Sequence, residues 1–123
     1  MLSLPGSVRV YLFTGGVDMR RGFDGLASLV QASGLDVFSG HLFVFLSKRS
    51  NRVKVLTWQR GGFVLYYKRL ERGRFKRPVA GSGEDRVSIA PDQLQLLLEG
   101  FDARTIRAPR RWEPKGIDTD AGS

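Results

Sequence analysis

Apolar positions recur along this chain with two different periods. Residues 8–13 are β-branched and aromatic and follow a Pro5-Gly6 turn signal, which predicts a first strand, ended by Thr14-Gly15-Gly16. Phe23, Leu26, Ala27 and Val30 then fall at i, i+3, i+4 and i+7. That spacing predicts a helix from about Arg21 to Ser33, with Asp18 as its N-cap and Gly34 beyond its C-terminus. Three apolar runs follow, at 42–47, 52–58 and 63–69, separated by the polar stretch 48–51 and the Gly-rich stretch 59–62. Strands joined by connections this short pair antiparallel. A short strand is predicted at 87–89. Pro91 then opens a helix running to about Glu99, with Leu94, Leu97 and Leu98 on its buried face and Gly100 behind it. Ala90 has no side-chain acceptor, so Ser88 or Asp92 is the expected cap.

These elements predict a small single α+β domain over residues 1–102, an antiparallel β-meander packed by an N-terminal and a C-terminal helix. Residues 103–123 lose all periodicity. They read as a flexible tail, first basic (Arg104, Arg107, Arg110, Arg111) and then acidic. At 123 residues and 41% hydrophobic composition the chain can build one core.

Charge changes this picture. Of the twenty Lys and Arg residues, eleven lie in the quarter of the chain from Ser47 to Arg77: Lys48, Arg49, Arg52, Lys54, Arg60, Lys68, Arg69, Arg72, Arg74, Lys76 and Arg77. Only Glu71 opposes them, so the segment carries +10 while the whole chain carries +8. A solvated surface normally mixes signs. A one-sign patch suits a polyanion, most simply the phosphates of nucleic acid, and the seven arginines in it suit bidentate phosphate contacts. The alternating pattern puts Arg52, Lys54, Leu56 and Trp58 on one face of their strand and Val53, Val55 and Thr57 on the other. Trp58 and Tyr67 are candidates for stacking on unpaired bases, although aromatic side chains of a small sheet more often fill its core.

Catalytic readings find little support. Asp18 reads as a cap, Asp24 sits in a first helical turn and Asp36 in a loop, and no nearby glutamate completes a two-metal set. Gly15-Gly16 lacks the Gly-Lys-Ser/Thr ending of a phosphate loop. The single histidine, His41, has no nucleophile pattern beside it, and the absence of cysteine excludes disulfides and thiolate chemistry. No catalytic residue, metal site or cofactor is therefore expected. No secretory signal is visible. The longest strictly apolar run, 42–46, is far short of the roughly 20 residues of a membrane span. A soluble cytoplasmic protein with no membrane contact is expected, its oligomeric state left open.

Three segments carry a resemblance: Val-Asp-Met-Arg-Arg-Gly-Phe-Asp-Gly-Leu at 17–26, Phe-Ser-Gly-His-Leu-Phe-Val-Phe at 38–45, and the run from Lys54 to Phe75. With the helix at 94–100 they resemble the TnpB accessory protein of the IS-sixty-six class of bacterial insertion sequences, which is distinct from the RNA-guided nuclease sharing that name. The resemblance implies a small protein encoded beside a larger transposase and needed for transposition. It supplies no catalytic residues. Two features depart from the family pattern: Ala90 stands where Thr or Ser is common, and the tail after Asp102 carries no family motif. Residues and resemblance together predict a non-enzymatic accessory factor that binds DNA backbone through a basic hairpin face and assists the transposase. The competing reading is an interaction module whose basic face docks an acidic patch on the transposase or on a host factor.

Overall fold

A computed structural model of the protein describes residues 7–77, 81 and 83–100. The Pro5-Gly6 turn, residues 78–80 and 82, and the 103–123 tail with its four arginines lie outside the described residues.

Seven elements follow one another: β1 (Val10–Val17), α1 (Phe23–Ala32), β2 (Leu42–Ser47), β3 (Arg52–Gln59), β4 (Gly62–Arg69), β5 (Arg86–Ile89) and α2 (Pro91–Leu98). The strands form one five-stranded sheet in the order β4-β3-β2-β1-β5. The expected antiparallel meander is present as β2-β3-β4. It is only part of the sheet, however, because β1 joins β2 in parallel and β5 joins β1 antiparallel. The sheet is therefore mixed. The α1 crossover permits the parallel pair, since a connection of a dozen or more residues can return the chain to the starting end.

The uninterrupted apolar run of β2 marks it as the middle strand, buried on both faces. Leu42, Val44 and Leu46 join Val10, Leu12, Val53 and Val55 in one core cluster, which also holds Phe75 and the α2 residues Leu94, Leu97 and Leu98. Phe43 and Phe45 join Phe13 and Leu56 in a second cluster, with Leu26, Ala27 and Val30 of α1. The ring of Phe13 stacks on Phe45 at 5.1 Å, a contact that their neighbouring strands supply.

Local details depart from the sequence reading for identifiable reasons. Thr14-Gly15-Gly16 does not end β1. The strand continues to Val17 through an irregularity between Leu12 and Gly16 that takes up extra residues against β2. The N-cap of α1 is Gly22, with no side-chain cap, because Asp18 instead accepts the Arg20 backbone N–H at 2.9 Å and closes a turn before the helix. The orphan donor at the start of α2 is served by neither Ser88 nor Asp92. The Ala90 N–H donates to Gln93 Oε1 at 2.7 Å. Arg60 and Gly61 both have positive φ, the condition for a two-residue turn that matches the twist of the β3–β4 hairpin.

Gly16 meets a different constraint. A Cβ there would lie 2.6 Å from Lys48 Cγ and 2.9 Å from Lys48 Cα. Only a residue without a side chain lets the end of β1 approach the β2–β3 turn this closely. Gly16→Ala is expected to cost about 1–3 kcal/mol by displacing that turn, read as a lowered thermal midpoint.

Candidate nucleic-acid interface

Parallel pairing brings the carboxyl ends of β1 and β2 together, with Val17 opposite Ser47. The segment after β1, carrying Asp18, Arg20 and Arg21, thereby meets the segment after β2, carrying Lys48 and Arg49. A third segment joins them from beyond β4. The Leu70 N–H donates to Asn51 O at 2.8 Å and the Phe75 N–H to Ser50 O at 2.6 Å, so 70–77 folds back along the β2–β3 turn. Phe75 is 2% exposed and inserts into the core, and with Leu70, which packs against the same cluster, it anchors this stretch. Its neighbours Arg72, Arg74 and Lys76 remain exposed. Three stretches distant in sequence thus deliver basic groups to one end of the sheet.

An open cleft of about 450 Å³ lies at this end, lined by Val17, Asp18, Met19, Arg20, Ser47, Lys48, Arg49, Asn51 and Arg52. A crevice outside the carboxyl ends of parallel strands is where α/β sheets commonly take ligands. Arg20 is paired with Asp18 at 2.7 Å and points into solvent. Its hydrogen bonds hold the Asp18 carboxyl well below the usual carboxylate range, so Asp18 stays ionised and half-neutralised. Counting charge segment by segment missed Arg20, because residues 1–46 are net neutral. Recognising a parallel β1–β2 pair would have found it.

The eleven basic residues of the Ser47–Arg77 segment separate into distinct groups. Lys48, Arg49, Arg72, Arg74 and Lys76 are exposed and make no ion pair or side-chain hydrogen bond among the described residues. Arg52 and Arg69 stand directly opposite each other across β3 and β4, a like-charge pair. Arg69 is offset by Glu71 at 3.0 Å, and Arg52 donates to the Tyr67 hydroxyl at 3.4 Å. Arg60 occupies the hairpin tip at the other end of the sheet and does not join the cluster.

Three residues are already engaged inside the fold. Lys54 is 6% exposed, and its Nζ donates to Met19 O at 2.7 Å and Arg21 O at 2.8 Å, 4.6 Å above the Tyr67 ring. It fastens the segment before α1 to the sheet. Lys68 Nζ donates to Leu98 O at 2.7 Å, satisfying a carbonyl in the last turn of α2. Arg77 donates to Thr14 O at 2.9 Å, Ser47 O at 2.6 Å and Ser50 Oγ at 2.8 Å. Burial lowers the proton affinity of its guanidinium below the ordinary value. Arg77 ties the irregular stretch of β1 to the end of β2, where the cleft forms. Arg77→Ala is expected to lower stability by about 2 kcal/mol in a denaturant titration, with Arg77→Lys recovering only part, since one ammonium cannot serve three divergent acceptors.

The two stacking candidates also part company. Tyr67 is 48% exposed beside the basic end. Trp58 is half-buried at the opposite end, edge-on to Phe38 and Phe63 with 5.0 Å between centroids in both pairs. Among the described residues no group of three or more His, Cys, Asp or Glu side chains could hold a metal ion, and no helix is long and apolar enough to cross a membrane.

Fold and site define a small α+β domain whose mixed sheet gathers basic side chains from three segments at one end. The chain belongs to the family of IS66 Orf2-like proteins, which matches residues 8–108. It is accordingly an insertion-sequence-associated protein, and membership associates it with a co-encoded transposase. Two relatives come from Sinorhizobium fredii. One, named uncharacterized protein y4hO, is 42% identical over 95% of this chain and 99% of its own length. The other, named uncharacterized protein y4jC, is 35% identical over 89% of this chain and 93% of its own length. No solved structure matches.

Proposed function

We propose that the protein is a non-enzymatic accessory factor in transposition that binds DNA backbone through the basic end of its sheet and assists the co-encoded transposase. One observation carries this reading: Lys48, Arg49, Arg72, Arg74 and Lys76 are exposed on segments gathered at one end of the sheet, and none of them makes an ion pair among the described residues. Such a surface repels itself until an anion neutralises it, and phosphates spaced along a strand do so at many points together. Arg52 and Arg69 extend the surface, and a polyanion relieves their cross-strand repulsion. Tyr67 offers a ring at its margin for an unpaired base.

Fluorescence anisotropy with labelled duplex and single-stranded DNA across a salt series tests the proposal. Five to seven phosphate contacts predict a log–log slope of roughly −4 to −6. Absence of binding to either DNA form at low salt would falsify the DNA reading and favour docking to an acidic protein surface. Cleavage of the DNA on adding a divalent cation would overturn the non-enzymatic assignment.

A further inference from the structure

β4 is an edge strand of eight residues, and it carries three of the five exposed large hydrophobic residues among those described: Val64, Tyr66 and Tyr67. Edge strands normally protect themselves by shortness, inward charge, proline or a bulge. The other edge, β5, is four residues long and alternates Arg86 and Ser88 with Val87 and Ile89. β4 has no such protection over 62–67. Its pairing with β3 is regular throughout, and its charges, Lys68 and Arg69, are confined to one end.

We infer that β4 pairs antiparallel with β4 of a second copy of this chain about a two-fold axis at Leu65, joining the two sheets into one. The strand is self-complementary in this register. Leu65 faces Leu65, Val64 faces Tyr66, and Phe63 faces Tyr67, each pair on a common side of the sheet, so aromatic and β-branched side chains meet across the new ladder. Electrostatics selects this arrangement over others between two such basic chains. Antiparallel addition sets the two Arg69 residues eight positions apart along the joined strands, about 26 Å at the usual rise per residue. That is more than twice the screening length of about 8 Å at physiological salt. Parallel addition would stack the two basic ends side by side.

Tyr67 belongs both to this seam and to the margin of the proposed DNA surface, so sedimentation velocity of the DNA-free protein over a concentration series tests the inference by itself. The wild-type chain is expected to dimerise. Tyr66→Lys, which places an ammonium opposite Val64 at both symmetric positions, is expected to raise the dimer dissociation constant at least about tenfold. Phe23→Ser, which removes an exposed aromatic residue from α1, is expected to leave it within about twofold, a change worth under half a kcal/mol. Far-ultraviolet circular dichroism verifies that both variants are folded. The chain has no cysteine, so Leu65→Cys gives an independent readout of register. Two such residues across the axis lie within disulfide reach, and mild oxidation should link the dimer covalently. A monomeric wild type up to about 0.5 mM, an affinity weaker than about −4.5 kcal/mol, overturns the inference. So does a dimer that Tyr66→Lys leaves unchanged, or one that Leu65→Cys fails to link.

Discussion

Replacing Lys48, Arg49, Arg72 and Arg74 together with alanine should abolish most DNA affinity while leaving the fold intact. Each exposed cation lost removes one phosphate contact, and each contact contributes nearly one unit of log–log salt slope. Four contacts amount to a slope change of roughly 3.6, and about three orders of magnitude in affinity near 0.1 M salt. None of the four makes a hydrogen bond or ion pair among the described residues, so the thermal midpoint should stay the same or rise as self-repulsion falls. A variant that keeps both affinity and slope would remove this surface from the binding site. Arg60→Ala is the matched control, because the hairpin tip lies at the far end of the sheet.

Lys54→Ala should do the reverse, destabilising the protein by about 3 kcal/mol. The substitution strips a buried aliphatic stem from beside Leu56 and Tyr67 and leaves Met19 O and Arg21 O without their donor. An unsatisfied buried acceptor costs about 1–3 kcal/mol and each lost methylene about 0.8, offset in part by the desolvation cost that the ammonium no longer bears. For a domain of this size the thermal midpoint should fall by roughly 10–20 °C. Lys54→Met keeps the stem and should cost less than half as much. At temperatures where the variant remains folded, its DNA affinity should change by less than about threefold, since a screened surface charge contributes little beyond its direct contact. A large affinity loss without a stability loss would mean that the ammonium reaches DNA after all. The two lysines Lys48 and Lys54, six residues apart and indistinguishable by charge, thus predict opposite phenotypes.

Much of the secondary structure was legible because each element answers to local physics. Strand β2 was found at its observed bounds, since an apolar β-branched and aromatic run between turn residues has few other options. The β3–β4 hairpin and its two-faced alternation were legible for the same reason. Helix α1 was placed by its apolar spacing but begins two residues later than expected, because Asp18 serves a turn of its own. The parallel β1–β2 pair was not legible. Nothing local in residues 10–17 distinguishes a strand that pairs with the meander from one that stands apart, and Gly15-Gly16 looks like a terminator until the close approach to Lys48 gives it a reason.

By itself the sequence determined the existence of the basic segment, the family and the bounds of β2, all properties of composition or short-range order. Only the tertiary structure decided which basic groups are available. Charge is a property of a residue, whereas availability depends on what other segments bring to it. Met19 and Arg21 take Lys54, the end of α2 takes Lys68, and the irregular stretch of β1 and the end of β2 take Arg77. Arg20, which no charge run announced, arrives at the same end because two strands run parallel.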